Sequence, residues 1–252
     1  MVIDSENIGT IAHQGNSTIS KSANDCLTYS LENASPSEIA YNTLTTPRGG
    51  RYRLVLPDST KVWLNDTSSI TFPSAFTGTQ RLVMISGEVY FEVVSNANKP
   101  FVVKTRDQVV ENLGTAFNIK GYPKENVIVT TPVRGTVKVF FDTTTILIDP
   151  GQQVLFYGPS FIKKDHVDVE NEIAWQKGLI IFDGNSLAEI MDQIGRWYDL
   201  KIKIDGPVSP KKFKGSVSSQ LNLYEVLHVL ENEGIQFKLD GKQLHVYQAN
   251  TM

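Results

Sequence analysis

Hydrophobic and polar positions divide the chain into stretches with different patterns. Residues 1–42 are rich in Ser, Thr, Asn and Gly and carry only scattered apolar positions. Burying so few apolar side chains does not offset the entropy that ordering would cost, so we predict a flexible lead-in. Between residues 43 and 162, short β-type runs alternate with Gly, Pro, Asn and Asp, and helical periodicity is missing. This stretch predicts an all-β domain.

The turn residues of the all-β domain indicate where its strands lie. Tyr52–Leu56 and Lys61–Leu64 form a predicted hairpin, because the residues from Pro57 to Thr60 favour a tight turn. Nine further strands are predicted by short apolar runs: Gln80–Ser86, Glu88–Val94, Phe101–Thr105, Val109–Leu113, Ala116–Lys120, Val127–Thr130, Thr136–Phe141, Thr145–Ile148 and Gln153–Tyr157.

Glycine recurs before alternating apolar runs of this domain, at Gly87, Gly114 and Gly135. Such positions suit corners or bulges, where the backbone needs a positive φ or a close approach. Their uneven spacing argues against a strict solenoid. An irregular β-coil, a barrel and a sandwich therefore all stay open as the fold of the all-β domain.

The pattern of residues 175–248 predicts a small α+β domain with the element order βαββαββ. A capping box starts each of its two helices, formed by Ser186 with Glu189 and by Asn222 with Glu225. Apolar residues follow at helical spacing, so each helix has one face that packs on a sheet. The predicted fold class is therefore multi-domain, with an all-β domain followed by a small α+β domain.

An acidic segment, residues 163–174, separates the two predicted domains, and a short tail, residues 249–252, ends the chain. Carboxylate oxygens bind hard cations, so a metal site is one interpretation of this segment. Its acidic residues are Asp165, Asp168, Glu170 and Glu172, with His166 among them. The segment lacks the glycine turn and the fixed alternation of a calcium-binding loop. We therefore interpret it as a solvated linker without a metal.

Charge and cysteine content exclude several classes of partner and site. The formal net charge is -3, without a cluster of Lys and Arg, so neither nucleic acid nor an anionic membrane surface is an expected partner. Cys26 is the only cysteine, which excludes an intramolecular disulfide and a cysteine-based zinc site. No stretch approaches the roughly 20 apolar residues of a membrane span, so any membrane anchor is expected outside this chain.

The sequence predicts no catalytic, cofactor-binding or metal-binding residue, and we expect no enzyme. No nucleophile elbow or phosphate-binding loop occurs, and the histidines lie far apart in sequence. They are His13, His166, His228 and His245. One alternative stays open, because β-coil folds also host enzymes that cleave polysaccharides with carboxylates from distant strands.

A carbohydrate-binding β module is a further alternative. Flat aromatic rings stack on sugar faces, and the all-β domain contains four rings that could form such a platform. They belong to Trp63, Tyr90, Phe91 and Phe117. Alternation along the strands places at least half of them inward, so the simpler interpretation is that they belong to the core.

Four sequence runs resemble, in their order along the chain, the FecR domain of Bacteroidetes-type proteins. The first is TPRGGRYRLVLPDSTKVWLN, from Thr46 to Asn65. The others are GEVYFEV from Gly87, LGTAFNI from Leu113 and PGQQ from Pro150. The βαββαββ domain in turn resembles the C-terminal domain that accompanies FecR, which is similar to the short N-terminal domain of secretins and TonB-dependent receptors.

The resemblance implies a regulator rather than an enzyme. FecR-family anti-sigma factors have a cytoplasmic anti-sigma segment, one span of the inner membrane and a periplasmic part. The signalling domain of a TonB-dependent outer-membrane transporter contacts the periplasmic part, and the signal reaches an extracytoplasmic-function sigma factor. By this resemblance the chain is the periplasmic part. The sigma factor would bind through a cytoplasmic segment that this chain does not contain.

Strand addition is the expected mode of partner binding. An open sheet edge leaves N–H and C=O groups unpaired, and a strand from a partner can bond to them. The candidate edge residues are Lys212, Phe213, Lys214, Gly215 and Ser216, followed by Leu179 and Ile181. The competing interpretation is that Phe213, Leu179 and Ile181 are ordinary core residues.

Overall fold

The computed structural model describes residues 8–14, 17–22, 26–31, 39–206, 210–218 and 221–248. The chain forms two compact units. Unit 1 comprises Met1–Pro47 and Arg51–Glu172, and unit 2 comprises Arg48–Gly50 and Ile173–Met252. Within the described residues, no helix has the length and apolar character needed to cross a membrane.

Sixteen strands and one short helix make up the described part of unit 1. The strands are β1 Gly9–Gln14, β2 Ser17–Lys21, β3 Cys26–Leu31, β4 Tyr41–Thr45, β5 Tyr52–Val55, β6 Lys61–Leu64, β7 Ser69–Pro73, β8 Arg81–Glu92, β9 Phe101–Lys104, β10 Val109–Asn112, β11 Ala116–Gly121, β12 Ile128–Arg134, β13 Val137–Phe141, β14 Thr144–Ile148, β15 Gln153–Tyr157 and β16 Ser160–Lys164. The helix α1, Val169–Glu172, follows the last strand.

Strand β8 belongs to two ladders and joins them at a corner. Its first half pairs with β7 and β9, and its second half pairs with β6 and β11. One ladder runs β1-β2-β3-β5-β6-β8-β11-β12-β15-β16, and the other contains β4, β7, β8, β9, β10, β13 and β14. The two predicted strands on either side of Gly87 are thus one strand, with the corner at that glycine.

Both ladders contribute to one hydrophobic core. Its largest fully buried side chains come from β7, β8, β9, β11 and β15: Phe72, Phe91, Phe101, Phe117 and Phe156. The two ladders join at β8 and share this core. The prediction of an all-β domain is thus confirmed as to class, since β-strands form nearly all of its regular structure.

The predicted flexible lead-in, residues 1–42, is wrong where the structure describes it. Strands β1, β2 and β3 form an antiparallel ladder, and β3 pairs in parallel with β5. Strand β4 pairs with β7. Ile19 and Leu27 are buried, so even this sparse apolar pattern adds to the core. Parts of the predicted lead-in lie outside the described residues.

In unit 2 the element order βαββαββ is confirmed. The elements are β17 Leu179–Ser186, α2 Leu187–Trp197, β18 Lys201–Asp205, β19 Lys212–Ser218, α3 Leu223–Glu231, β20 Ile235–Asp240 and β21 Gln243–Gln248, preceded by a 3₁₀ turn at Ala174–Lys177. Strands β17 and β19 form a two-stranded antiparallel sheet, and the second sheet has the order β18-β21-β20.

Local sequence chemistry explains where the helices of unit 2 begin. Ser186 and Glu189 form a reciprocal capping box at α2, and Asn222 and Glu225 form one at α3, as predicted. The buried side chains of the two helices lie at helical spacing and face one core. They are Leu187, Ile190, Met191 and Ile194 in α2 and Val226, Leu227 and Leu230 in α3.

The predicted domain boundaries need revision. The segment 163–174, predicted as an acidic linker, contains the end of β16 and all of α1, and unit 1 extends to Glu172. The predicted all-β domain, residues 43–162, loses Arg48–Gly50 to unit 2. The predicted tail, residues 249–252, lies outside the described residues.

Candidate partner-binding edges of unit 2

The predicted site residues lie on two paired strands. Lys212–Ser216 belong to β19, and Leu179 and Ile181 belong to β17. Ser216 lies opposite Ile181. Among the described residues, β17 pairs only with β19, and β19 only with β17. Each strand therefore has one edge on which no described strand lies.

The side chains of β19 alternate between the core and the solvent. Phe213 and Val217 are buried in the core of unit 2, whereas Lys212, Lys214 and Ser216 are exposed. The competing interpretation is therefore right for Phe213. Leu179 and Ile181 on β17 are only half-buried and stand outside that core, so an apolar part of both stays accessible at the strand.

A β-bulge interrupts β17. The register with β19 shifts between Asp183 and Asn185, and the intervening Gly184 has a φ of 75°. The backbone N–H of Asp183 donates to the Oδ1 of Asn185 at 2.9 Å. The Asn185 side chain thus accepts the backbone N–H of Asp183, so this N–H is already hydrogen-bonded within β17.

Acidic side chains pair with the lysines of β19 from one side. Lys214 Nζ lies 2.9 Å from Asp183 Oδ1 of β17, and Lys212 Nζ lies 3.9 Å from Glu189 Oε2 of α2. The Lys214 side chain keeps 80% of its surface exposed. These exposed pairs contribute little to stability.

The three-stranded sheet carries an ordered histidine. His245 Nδ1 lies 2.7 Å from Asp205 Oδ2, and this hydrogen bond lowers the pKa of Asp205, with Lys203 adding to the effect. Gln243 Nε2 lies 3.3 Å from His245 Nε2. Neutral His245 with its proton on Nδ1 satisfies both contacts, because the ring then donates to the carboxylate and accepts from the amide. The histidine is therefore part of a surface hydrogen-bond chain.

A short segment of the first quoted motif belongs to unit 2. Arg48 Nη2 donates to the carbonyl oxygens of Gly195 and Leu200, both at 3.2 Å, near the C-terminal end of α2. A Cβ on Gly49 would lie 2.7 Å from the carbonyl oxygen of Trp197, so only glycine fits there. The Gly195 carbonyl also accepts the Leu200 N–H at 2.8 Å, so the arginine adds a charged donor to the turn that ends α2. Sequence reasoning missed this role because nothing local connects residue 48 to α2.

The four aromatic rings considered as a sugar platform do not form one. Phe91 and Phe117 are fully buried and stack on each other with centroids 5.1 Å apart. Tyr90 is also buried and Trp63 is half-buried, their planes are tilted by 59° and the indole Nε1 of Trp63 is buried. Burial, with Glu92 adding, raises the pKa of Tyr90 to about 12. The rings therefore offer no flat, exposed surface.

Buried polar side chains of unit 1 surround Glu88, the residue after the corner glycine. Its Oε2 accepts a hydrogen bond from Asn65 at 2.8 Å and its Oε1 accepts one from Asn118 at 3.0 Å. Its backbone N–H donates to Ser68 Oγ at 2.8 Å. Within the described residues, no three His, Cys, Asp or Glu side chains come together in a way that could hold a metal ion.

Glu172, at the end of α1, predicts a pH dependence of stability. Burial, and secondly the charge of Glu88, raises the pKa of Glu172. A carboxyl whose pKa is raised on folding stabilises the fold below its unfolded pKa, and this contribution disappears as the pH rises through the folded value. We therefore expect Glu172→Gln to raise the free energy of unfolding at pH 7 by about 1 kcal/mol. The gain should vanish near pH 4.

Urea denaturation of the whole chain between pH 4 and pH 8 measures this effect. The glutamine keeps an acceptor for the hydrogen bond with Gln153. Glu170→Gln, on the exposed side of the same helix, controls for the loss of one negative charge. A Glu172→Gln gain that is equal at both ends of the pH range would contradict the interpretation.

Comparison with known proteins identifies both units. Residues 42–138 match the family described as FecR protein, and residues 179–246 match the family described as FecR, C-terminal. Two crystal structures of a candidate anti-sigma factor from Parabacteroides distasonis ATCC 8503 resemble the chain with a TM-score of 0.74 and 26% sequence identity. They cover 83% and 84% of this chain and 100% of their own. No curated protein matches the sequence.

Proposed function

The chain belongs to the FecR family of anti-sigma regulators, and from this premise we propose that it is the periplasmic, signal-receiving part of such a regulator. It binds the signalling domain of a TonB-dependent outer-membrane transporter. Binding changes the signal that the regulator passes to an extracytoplasmic-function sigma factor. A cytoplasmic segment outside this chain contacts that sigma factor.

The edges of β17 and β19 on which no described strand lies support this function most directly. A two-stranded sheet leaves one row of N–H and C=O groups on each outer side, and an added strand satisfies such a row. The sheet lies in the unit that matches the C-terminal domain of the family. Main-chain hydrogen bonds supply affinity in this mode, and the alternating side chains supply specificity.

The same premise favours binding over catalysis. Regulators of this kind act through protein contacts. In the polar cluster of unit 1, Glu88 is hydrogen-bonded to Asn65, Asn118 and Ser68. The carbohydrate-binding alternative required a flat, exposed set of aromatic rings. Because these rings are tilted or buried, the structure does not favour that alternative. The edge residues of unit 2 are accordingly binding residues and not catalytic ones.

Proline substitutions on both edges test the binding mode. Proline is placed at Lys214 or Ser216 on β19 and at Leu179 or Ile181 on β17, and we expect the substitutions on the strand that receives the partner to weaken binding by about tenfold or more wherever the variant stays folded. Proline removes a backbone donor and is tolerated only on the free side of an edge strand. The measurement is titration calorimetry with the signalling domain of the transporter whose gene adjoins that of this chain.

A matched control separates edge blocking from general damage. Lys238→Pro changes an exposed lysine in β20, an outer strand of the other sheet. Circular dichroism and thermal unfolding identify the variants that retain the fold. If every folded variant on β17 and β19 binds with wild-type affinity, strand addition to this sheet is excluded.

A further inference from the structure

The β17–β19 sheet has two outer edges that no described strand covers, and they differ in how well they can accept a strand. On β17 the register breaks between Asp183 and Asn185, and the Asn185 side chain takes the Asp183 N–H at 2.9 Å. Bulges of this kind twist an edge and block further pairing. The extra residue of this bulge, Gly184, lies on β17, and β19 has no extra residue opposite it; the pairs from Leu179↔Ser218 to Asp183↔Lys214 are in regular register. β19 is therefore the edge without a bulge.

Charge distinguishes β19 from the strands around it. Between Pro210 and Ser218 the chain has three lysines and no acidic residue. Two of them, Lys212 and Lys214, stand on the exposed side of β19 with 60% and 80% of their side-chain surfaces accessible. Their acidic partners lie on β17, where Asp183 is opposite Lys214 in the ladder, and on α2, where Glu189 pairs with Lys212. An ammonium group has three N–H donors, so one carboxylate leaves it able to bind another.

The opposite face of β19 is apolar. Phe213 and Val217 lie in the core of unit 2, each with 5% of its surface exposed. Gly215 lies between them, opposite Phe182 of β17. A strand laid along β19 would set every second side chain beside this apolar layer and the others beside the lysines.

On these grounds, and resting on the proposed function, we infer that the partner contributes an extended strand that pairs with β19, and that acidic residues alternate with apolar residues in that strand. The acidic positions face Lys212 and Lys214. The apolar positions extend the layer formed by Phe213 and Val217. The bulged edge of β17 takes no strand.

Charge reversal on two matched strands tests the inference. Lys212→Glu/Lys214→Glu changes the exposed side of β19, and Lys201→Glu/Lys203→Glu makes the same change on β18, an outer strand of the other sheet with the same spacing of exposed lysines. With the transporter signalling domain at low salt, we expect the β19 variant to lose about tenfold in affinity and the β18 variant to stay near wild type. Wild-type affinity should fall as salt is added, and that of the β19 variant should change less.

A synthetic peptide with the sequence (Glu-Val)₄ tests the edge without the transporter. We expect it to shift the backbone amide resonances of Lys212–Ser218 in spectra of the deuterated, ¹⁵N-labelled chain, and (Lys-Val)₄ to leave them unchanged. Shifts confined to β17, β18 or β20, or no shifts with (Glu-Val)₄, would overturn the inference.

The transporter experiment and the peptide experiment together distinguish a wrong partner from wrong strand chemistry. If the transporter domain does not bind the wild-type chain while (Glu-Val)₄ still maps to β19, the proposed partner is wrong and the inferred edge stands. If the transporter domain binds and the β19 charge reversal has no effect, the partner stands and the inferred strand chemistry is wrong.

Discussion

Asp58→Ala should destabilise unit 1 by about 3 to 5 kcal/mol, because it leaves a buried guanidinium group without its counter-charge. Arg81 at the start of β8 has only 3% of its side-chain surface exposed, and its Nη1 lies 2.7 Å from Asp58 Oδ2. The same nitrogen donates to the carbonyl of Val94 at 2.8 Å, and Nε donates to that of Lys99 at 2.9 Å. These contacts hold the arginine in place, so it cannot reach solvent when Asp58 is lost.

Urea denaturation of the single and double variants measures the loss. Asp58 also accepts hydrogen bonds from the N–H and hydroxyl of Thr60, at 3.0 and 2.8 Å, so Asp58→Asn serves as the variant that keeps an acceptor in the turn without the charge. In the double variant Asp58→Ala/Arg81→Met neither charge is buried, and we expect it to be more stable than Asp58→Ala alone. A loss below about 1 kcal/mol for Asp58→Ala would mean that Arg81 finds another counter-charge.

Local chemistry made the turn at Asp58 predictable, whereas its ion pair was not. Pro57 to Thr60 favour a turn through their own backbone preferences, and the hairpin of β5 and β6 is confirmed. The ion pair joins residues 23 positions apart, and only the folded sheet brings them together. The same distinction explains the capping boxes of α2 and α3, which were predictable because all their contacts lie within three residues.

The prediction that residues 1–42 are flexible was wrong because the strands described there are ordered by pairing with a larger sheet. Strand β3 carries few buried side chains, but it pairs with β5 through the edge that β5 offers. Backbone hydrogen bonds to a preformed edge do not require an alternating apolar pattern in the added strand. Composition measures what a segment can bury by itself, so it underestimates a segment that adds to a larger sheet.

The strands of the candidate site were predictable from the sequence, but the difference between the edges of β17 and β19 was not. The sequence pattern located β17 and β19, and residues of both strands were named as candidate edges. The inequality of the two edges depends on Asn185 turning back to the backbone of Asp183, a contact that follows from the bulge. Arg48 was missed for a related reason, because its partners at Gly195 and Leu200 are about 150 residues away.

Gly87→Ala should cost about 3 kcal/mol or more, since two separate penalties add at the corner of β8. Gly87 has a φ of 89°, a conformation that costs an L-residue roughly 1 to 2 kcal/mol. A Cβ there would also lie 2.3 Å from Ser68 Oγ and 2.7 Å from Ser68 Cα. Ser68 cannot easily withdraw, because its Oγ accepts the Glu88 N–H at 2.8 Å and donates to the Asp66 carbonyl at 2.9 Å.

Gly158→Ala separates the two penalties. Gly158 has a φ of 69° in the turn between β15 and β16, but a Cβ there meets no atom within 4 Å. It should therefore show the backbone penalty alone, roughly 1 to 2 kcal/mol in the same urea assay. Equal losses for the two variants would mean that Ser68 yields without cost. A larger loss for Gly87→Ala would mean that the corner joining the two ladders tolerates no side chain. Ser68, just before β7, leaves no room for a Cβ on that glycine, and the polar cluster around Glu88 lies beside it.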